Sequence, residues 1–346
     1  MSNYFSVIIP ARTNNSYLHD ETLPAIEAQS YRNFEVIIVA DNAPSFATEL
    51  KLYPWLSIIE STKFPGVKRD LGANRSKGNV LAFIDDDTAP LADWLKNANK
   101  LFSKKDEIVA VGGPGILPPN SNFWEKVFDA ILVSFMGSGG YTYRFQKEKE
   151  RQTDDYPSMN LIIRKDIFLS LDGFGNDYWP GEDSKLGEKL RTILQKHILY
   201  HPDLVVYHHR RTSPFGYLKQ HWKYGFMRGM FFSHGDKNSM RGVYLLPLLL
   251  VVYLFVYLEL LFAAYSLKQK DTIIYMGIPL VIYLLCVVFA ALKSFLKSYN
   301  PFLSFAVAVI LPLTHIIYGI GFAAGYTSVL LKKREDSLSS RAQNKQ

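Results

Sequence analysis

Short apolar runs alternate with helix-like segments through the first 200 residues of the chain. The runs lie at residues 5–10, 34–40, 56–60, 78–84 and 108–113, and each has the length of one buried strand. Between them, residues 18–29, 66–76 and the amphipathic 90–102 are patterned like helices. Strands that alternate with helices form mostly parallel sheets covered on both faces. The pattern therefore predicts an α/β fold with a doubly wound, mostly parallel sheet.

Beyond residue 240 the apolar runs become much longer. They cover about residues 243–267, 273–292 and 302–331, and a membrane-spanning helix needs about 20 apolar residues. The third run is long enough to tilt across a membrane or to form a re-entrant hairpin about Pro312, and both alternatives stay open. Glu259 and His315 lie inside these runs, where we expect a structural pair. We predict a transmembrane region of about three helices at residues 242–334.

The remaining segments complete a four-part organisation. Residues 1–212 hold the strand-and-helix pattern and form the predicted catalytic domain. Residues 213–241 are rich in aromatic and basic side chains, which predicts an amphipathic segment at the membrane interface. The polar residues 335–346 predict a disordered tail.

The net charge of the chain is +7, which taken alone is compatible with a nucleic-acid partner. The basic residues between Arg210 and Arg241 lie just ahead of the apolar runs, however, so membrane lipids with anionic head groups are the better partner and we expect no nucleic acid. The single cysteine, Cys286, excludes a disulfide framework and a thiolate metal site. The chain enters its first strand without the pattern of a signal peptide, so we expect the first domain in the cytosol.

Three consecutive acids follow the apolar run at residues 78–84. Alternate side chains of an extended chain share a face, so Asp85 and Asp87 point to one side and Asp86 to the other. Ligands of open α/β sheets bind at the carboxyl ends of the strands. Two carboxylates in that position suit Mg²⁺ or Mn²⁺, and a charged turn is the alternative. Three neighbouring acids repel one another without a cation, which favours the metal site.

An ordered set of motifs resembles family 2 glycosyltransferases. The motifs are SVIIP at residues 6–10, EVIIVADN at 35–42, Arg69 ahead of Gly72, AFIDDD at 82–87, GF at 173–174 and GED at 181–183. The resemblance covers about residues 5–230. It implies a GT-A fold, a UDP- or GDP-linked sugar donor and inversion at the anomeric carbon. The chain departs from the family pattern at Ala40, where many members have an acid, and at Asp172, where a glycine is usual.

The resemblance also implies roles for individual residues. Asp41 would contact the base or ribose of the donor, and Asp87, helped by Asp85, would hold the metal. The base would be Asp183, with Glu182 as a neighbour that binds or orients. The full set of expected donor-binding residues is Pro10, Ala11, Arg12, Asp41, Arg69, Asp85, Asp86 and Gly113. For Lys68, beside Arg69, an exposed helix face is the favoured interpretation.

The aromatic residues ahead of Asp183 bear on its role as a base. A carboxylate partly desolvated between Tyr178 and Trp179 has a raised pKa, which suits proton abstraction. The alternative is that the two acids simply begin a helix over residues 184–196, because acids favour helix N-termini. The two interpretations are compatible.

Two adjacent histidines follow the strand-like residues 204–206. A neutral imidazole is a good third ligand for Mn²⁺, but neighbouring strand residues face opposite ways, so at most one of His208 and His209 serves. Contact with phosphate and a structural role are the alternatives. The predicted acceptor-binding residues are Trp179, Arg210, Gln220, Trp222, Lys223 and Arg228.

The favoured function is a membrane-bound, metal-dependent, inverting transfer of a hexosyl or N-acetylhexosaminyl group to a lipid-linked saccharide or cell-surface glycan. The catalytic domain would lie on the cytosolic face of the plasma membrane. A polyprenyl-phosphate sugar synthase is the nearest rival, but its acceptor is already anionic and needs no base, so Glu182 and Asp183 speak against it. A non-catalytic membrane scaffold is disfavoured by the intact acids, and a transporter is disfavoured by the large polar domain.

Overall fold

A computed structural model describes residues 3–104, 107–175, 180–266 and 270–343 of the chain. Their contacts divide the chain into two compact units. The first comprises residues 1–121 and 143–209, and the second comprises residues 122–142 and 210–346. The segment 122–142 therefore packs with the C-terminal helices, although it lies inside the range predicted for the catalytic domain.

The described part of the first unit contains an eight-stranded sheet and a smaller three-stranded sheet. The strand order of the large sheet is β3-β2-β1-β4-β9-β6-β10-β8, and that of the small sheet is β5-β11-β7. The strands are β1 Phe5–Ala11, β2 Phe34–Ala40, β3 Leu56–Glu60, β4 Val80–Ile84, β5 Thr88–Pro90, β6 Ala110–Gly112, β7 Gly115–Ile116, β8 Arg151–Thr153, β9 Asn160–Arg164, β10 Ile198–Tyr200 and β11 Val206–His208. Of the large-sheet pairs, those of β9 with β4 and β6 and that of β8 with β10 are antiparallel, and the others are parallel. The predicted doubly wound, mostly parallel sheet is confirmed.

The central strands of the first unit are buried along their whole length. Every residue of β1 and β4 is buried, because helices cover both faces of the sheet. The polar residue of β1, Ser6, donates its hydroxyl to Glu35 Oε1 at 2.7 Å. The helices are α1 Leu23–Glu27, α2 Ala47–Leu52, α3 Pro65–Arg75, α4 Trp94–Lys104, α7 Lys165–Ser170 and α8 Glu182–Ile193, with a π-helical turn at Leu18–Thr22. The helices predicted at residues 18–29 and 90–102 are both present, within narrower or shifted bounds.

The regular secondary structure of the second unit is helical in its described residues. Its helices are α5 Phe123–Leu132, α6 Phe135–Ser138, α9 Pro214–Ser233, α10 Gly242–Ser266, α11 Lys270–Ser298 and α12 Pro301–Gln343. Within the described ranges, three stretches are long and apolar enough to cross a membrane, namely Gly242–Ala263, Ile274–Ser298 and Pro301–Lys332. The three predicted membrane helices are confirmed by length and composition. The third run is one continuous helix through Pro312, so it does not form the re-entrant hairpin.

His315 has partners other than the one expected from the sequence. The Tyr283 hydroxyl donates to His315 Nδ1 at 2.8 Å, and His315 Nε2 lies 2.9 Å from the Met136 carbonyl oxygen. Because a carbonyl only accepts, Nε2 carries a proton, and in the neutral ring Nδ1 then accepts from the Tyr283 hydroxyl. Glu259 is exposed on α10. The expected pair of Glu259 with His315 is therefore wrong.

Helix α9 packs directly along α12 through glycines on both helices. A methyl group at Gly225 or Gly229 would come within 2.2 or 2.1 Å of a carbonyl oxygen of α12. The reverse holds for Gly321 and Gly325, whose methyl groups would meet carbonyl oxygens of α9 at 2.6 and 1.9 Å. Small residues four apart let helix backbones approach this closely. The segment predicted at the membrane interface thus buries one face against the third candidate span.

We expect Gly229→Ala to destabilise the second unit, because the added methyl group would force α9 away from α12. The loss should reach the upper end of the about 1–3 kcal/mol that overpacking costs. Gly277→Ala is the matched control, since its methyl group would meet only the Tyr257 hydroxyl, at 3.5 Å. Thermal unfolding of the detergent-solubilised chain measures both variants. Equal melting temperatures for the two would show that close packing at Gly229 does not support the fold.

Candidate active site

Two acids and one histidine lie together at the carboxyl end of β4. His208 pairs in register with Thr88 across β11 and β5, which brings its ring to the acids that follow β4. His208 Nε2 lies 3.3 Å from Asp87 Oδ1 and 4.0 Å from Asp85 Oδ2. One ligand atom from each of the three residues lies within 4.8 Å of the others. Two carboxylates and an imidazole fit a divalent cation, and the nitrogen donor favours Mn²⁺ over Mg²⁺.

The second histidine faces the other way. His209 Nε2 is 3.0 Å from Glu21 Oε2, and its ring lies on Tyr17 with centroids 4.2 Å apart. The alternation along the strand thus separates the two rings, as the sequence predicts. His208 joins the two acids and His209 does not.

Asp86 turns away from its two neighbours. Its Oδ2 accepts a hydrogen bond from the Asn15 side chain at 2.9 Å. Burial, together with the charges of Asp87 and Asp85, raises the pKa of Asp86 to about 7. Residues 86 and 87 form a turn after β4. This turn, and not strand alternation, separates Asp86 from its two neighbours, and its position does not favour the donor-binding role expected for it.

Arg69 is buried and bridges two acids. Its guanidinium donates to Asp85, and its Nη1 donates to Glu182 Oε1 at 3.1 Å. The arginine therefore links the end of β4 to the first residue of α8. This bridge also holds Glu182 in an ion pair, which favours an orienting role for Glu182 over proton transfer.

Lys68 is also buried, so the exposed helix face expected for it is wrong. Its ammonium group donates to the Asp41 carboxylate and to the Ala11 carbonyl. Helix α3 approaches the sheet closely because Gly72 faces Ile8, where an added methyl group would lie 2.6 Å from a side-chain carbon. In the sequence, Gly72 was the sign that α3 could pack closely against the sheet. Because α3 has no clear apolar face, the sequence did not indicate that Lys68 would lie on the buried side.

The other residues expected at the donor site lie at neighbouring strand ends. Pro10 and Ala11 are the buried last residues of β1, and Arg12 follows them on the surface. The backbone N–H of Asp41, after β2, donates to the Arg12 carbonyl at 2.9 Å. Gly113 follows β6, and a methyl group there would lie 2.0 Å from the Leu204 carbonyl oxygen. Packing alone thus explains the glycine at position 113.

Asp183 is the second residue of α8 and is partly buried. Its Oδ1 accepts from the Ser184 backbone N–H at 2.8 Å. Burial raises the pKa of Asp183 to about 7, and the charges of Glu182 and Asp155 act in the same direction. Asp155, which no motif in the sequence marks, accepts from the Ser184 hydroxyl at 3.0 Å. A carboxyl group with this pKa suits a general base near neutral pH.

Tyr178 and Trp179, expected to desolvate the base, lie outside the described residues. The raised pKa of Asp183 therefore rests on its own burial and on the two neighbouring acids. Helix α8 begins at Glu182, so the expected helix start is also present.

Two of the predicted acceptor residues in the second unit make internal contacts. Arg210 is buried, and its Nη2 lies 2.9 Å from Asp129 Oδ1. The Arg228 guanidinium lies 4.2 Å from the centre of the Tyr244 ring and donates to the Ser239 hydroxyl at 3.3 Å. These contacts favour structural roles, and acceptor binding by Arg210 and Arg228 stays a prediction.

The other acceptor candidates lie on α9. The Gln220 amide donates to the Tyr224 hydroxyl at 2.8 Å. Trp222 and Lys223 are both exposed, with 37% of the surface of Trp222 accessible. Exposed aromatic and cationic side chains next to a candidate span are typical of a lipid head-group layer. Their role as acceptor ligands is not tested by this geometry.

The chain is similar to a known protein family, to other characterised proteins and to solved structures. Residues 6–171 match the family described as Glycosyl transferase family 2. The chain carries a glycosyl transferase family 2 domain. The match ends at residue 171, before α8, so it includes Asp85 and Asp87 but not Asp183.

Two curated glycosyltransferases are similar to the chain over different lengths. It is 25% identical to the glucosyl-dolichyl phosphate glucuronosyltransferase of Haloferax volcanii over 186 residues, which are 51% of this chain and 55% of that protein. It is 24% identical over 337 residues to a Methanococcus voltae protein named dolichyl N-acetyl-alpha-D-glucosaminyl phosphate 3-beta-D-2,3-diacetamido-2,3-dideoxy-beta-D-glucuronosyltransferase. That match covers 93% of this chain and 97% of the relative, the membrane region included. The chain thus spans about half of the first relative and nearly all of the second.

A solved structure shares the fold. The mannosyltransferase PcManGT from Pyrobaculum calidifontis, in complex with GDP-mannose and Mn²⁺, superposes with a TM-score of 0.57 at 17% sequence identity. The likeness covers 94% of this chain and 88% of the neighbour. The predicted family, the GT-A fold and glycosyltransferase as the class of enzyme are confirmed.

Proposed function

We propose that this family 2 glycosyltransferase transfers a sugar, with inversion, from a UDP- or GDP-linked donor to a lipid-linked saccharide. The observation that carries the proposal is the group formed by Asp85, Asp87 and His208 at the end of β4. The two similar glycosyltransferases from Haloferax volcanii and Methanococcus voltae are named for sugars linked to dolichol through phosphate, which supports a lipid-linked acceptor. The mannosyltransferase crystallised with GDP-mannose and Mn²⁺ supports a donor of this kind.

Each residue of the site would have its own role in transferring the sugar by a single displacement at the anomeric carbon. A divalent cation held by Asp85, Asp87 and His208 would neutralise the departing nucleoside diphosphate. Asp41, fixed by Lys68, would bind the nucleoside at the end of β2. As the bond from the acceptor oxygen to the anomeric carbon forms and the bond to the diphosphate breaks, the acceptor proton passes to the Asp183 carboxylate. The products are the glycosylated acceptor and the nucleoside diphosphate.

The two acids at the start of α8 have different environments and hence different roles. Glu182 is ion-paired with Arg69, while Asp183 has its pKa raised to about 7 by burial and like charges. An ion-paired carboxylate acts as a fixed charge, whereas a carboxyl group with a pKa raised towards neutral can take up a proton. This contrast favours Asp183 as the base and Glu182 as its orienting neighbour.

The presence of a base is the reason to prefer a hydroxyl acceptor. Transfer to a polyprenyl phosphate needs no base, because the attacking phosphate oxygen is already anionic. A raised pKa for Asp183 has no use in that reaction. The rival synthase remains the second candidate because its acceptor is also a lipid, and the two differ in which acceptor is consumed.

We also propose that the first unit lies on the cytosolic side of the plasma membrane. The support is the basic residues that precede the first candidate span, among them Arg228, Lys237 and Arg241. Bases within about 15–20 residues of a membrane helix favour the cytosolic side.

A screen of nucleotide sugars tests the proposed function. The purified chain is mixed with a lipid-linked saccharide and with each UDP- or GDP-sugar in turn, and released nucleoside diphosphate is measured with Mn²⁺ or with a chelator. We expect release from at least one donor with Mn²⁺ and none with the chelator. Failure of every donor to release nucleotide, or release unaffected by the chelator, would contradict the proposal.

Lys223→Gln tests the predicted acceptor contact on α9. If the Lys223 ammonium binds an anionic lipid phosphate, its loss should raise the KM for the lipid acceptor and leave donor affinity unchanged, because donor contacts come from the first unit. A charge near the membrane surface is worth about 1 kcal/mol, so we expect a change of about fivefold. Lys51→Gln, an exposed lysine on α2, is the control and should change neither value. A fall in donor affinity instead would place Lys223 at the diphosphate.

A further inference from the structure

The loop ahead of α8 adopts an unusual backbone conformation. Asp172, Gly173 and Gly175 all have left-handed φ angles, of 56°, 56° and 79°. An aspartate in this region costs energy and persists only where the surroundings determine it. The residues around the loop should therefore include the group that holds it.

That group is the carboxylate of Asp70, on α3. Its Oδ1 accepts from the Phe174 backbone N–H at 2.9 Å, and its Oδ2 accepts from the Gly175 N–H at 3.0 Å. Successive N–H groups beside left-handed residues form a nest that binds anions. The loop encloses the carboxylate so tightly that a methyl group at Gly173 would lie 2.3 Å from Oδ1.

Helix α8 holds the same loop from its other side. Lys189 Nζ donates to the Leu171 carbonyl at 2.9 Å and to the Gly173 carbonyl at 3.2 Å. The loop thus receives hydrogen bonds from a side chain of α8 and donates them to a side chain of α3. Burial raises the pKa of Asp70 to about 6, against the two backbone hydrogen bonds and the charge of Lys189, so it is ionised at pH 8.

Helix α3 also contacts the residues that follow this loop. Arg69, adjacent to Asp70, donates to Glu182 at the start of α8. A methyl group at Gly66 would lie 3.2 Å from both the Gly175 carbonyl oxygen and Cγ of Glu182. One helix therefore fixes Gly175 and Glu182, the residues on either side of the segment that leads to the proposed base.

We propose that Asp70 is a positioning residue for the transfer reaction: by anchoring Phe174 and Gly175 to α3, it sets the place of Asp183 relative to the donor. The inference rests on the proposed function, since it makes Asp70 the residue that positions the proposed base, Asp183. Among the described residues, the hydrogen bonds of the Asp70 carboxylate go to the loop and not to the residues proposed to hold the cation or nucleoside. Its loss should therefore reduce turnover without reducing donor binding.

Asp70→Asn tests the inference, because asparagine keeps one acceptor oxygen but sets an amide NH₂ against a backbone N–H. Misplacing a reacting group by about 1 Å costs on the order of 10²-fold in rate, so we expect a kcat loss of that size at pH 8. The donor dissociation constant, measured by calorimetry, should stay unchanged. Asp172→Asn is the matched control: it removes one acid of the same loop, and asparagine tolerates the left-handed conformation, so kcat should be retained.

Each other outcome has a definite meaning. Normal turnover of Asp70→Asn overturns the inference, and so does a joint loss of turnover and donor affinity, which would make Asp70 a support of the whole domain. If Asp70→Asn does not fold, Asp70→Glu, which keeps the charge on a longer side chain, is judged by the same two measurements. Wild-type transfer and the Asp183→Asn variant are measured alongside. An inactive wild type or an unimpaired Asp183→Asn would overturn the proposed function or its base, whatever Asp70→Asn does.

Discussion

Asp183→Asn should lower kcat by about 10²- to 10⁴-fold, the usual cost of losing a general base. Asparagine keeps the size and polarity of the side chain but cannot take a proton. Donor affinity should be unchanged, because Asp183→Asn leaves Asp41, Asp85, Asp87 and His208 intact. These four residues lie at or just after strand ends and not on α8. Steady-state turnover and calorimetric donor binding, measured on the same variant, test both halves of the statement.

The pH profile of the wild-type chain gives an independent measure of the same residue. The base must be ionised to act, and the pKa of Asp183 is raised to about 7. Turnover should therefore rise about tenfold per pH unit below 7 and level off above it. Asp183→Asn should lose this dependence, and an unchanged profile in the variant would assign the titration to another group.

Two results would remove Asp183 from its role. Near-normal turnover of the variant would show that Asp183 is not the base. Loss of donor affinity together with turnover would make it a donor ligand, and Glu182 would become the next candidate. The ion pair of Glu182 with Arg69 would then have to open during the reaction.

Asp87→Asn should weaken cation binding far more than Asp86→Asn. Even partners that only orient a metal ligand are typically worth 10- to 100-fold in metal affinity, so loss of a ligand itself should cost at least about that much. Asp87 faces His208 at 3.3 Å, whereas Asp86 faces Asn15 on the other side of the chain. The measurement is calorimetric titration of Mn²⁺ in the presence of a nucleoside diphosphate.

Asp86→Asn is a close control because it makes the same substitution at the neighbouring position of the chain. Asn15 donates to the Asp86 carboxylate, and the asparagine oxygen can accept the same hydrogen bond. The control should retain Mn²⁺ affinity close to that of the wild type. Equal losses in the two variants would show that the acids act through their summed charge and not as individual ligands.

The large sheet and its acids could be predicted because they follow from local patterns. Buried strands appear as uninterrupted apolar runs, and the acids at residues 85–87 mark where one of them meets solvent. Alternation along an extended chain predicted Asp85 and Asp87 on one side and Asp86 on the other, and the structure reaches that arrangement through a turn at residues 86–87. The choice between His208 and His209 required the register of β11 against β5, which the sequence does not contain.

Long-range packing explains the predictions that failed. Lys68 is buried because Gly72 lets α3 approach β1, a contact between distant parts of the chain. His315 bonds Tyr283 and Met136 because of how the helices of the second unit pair. In each case the residue type was visible in the sequence, and its partner was not.

The assignment of residues 122–142 to the second unit also depends on distant contacts. In this segment Val127, Phe128 and Ile131 pack in one cluster with side chains of α11 and α12. An amphipathic helix shows which face it buries but not the surface that receives it. The same limit applies to the glycines on α9 and α12. Their four-residue spacing indicates close helix packing but does not indicate which helix is the partner.

The central claim is transfer of a sugar to a lipid-linked saccharide, and its most direct test follows the sugar itself. The purified chain is given the donor found in the screen, radiolabelled in the sugar, with Mn²⁺ and either a polyprenyl-linked saccharide or the bare polyprenyl phosphate. The account predicts that label enters the organic-solvent extract with the saccharide acceptor, and that Asp183→Asn abolishes most of this transfer. Label transferred to the bare polyprenyl phosphate but not to the saccharide would contradict it.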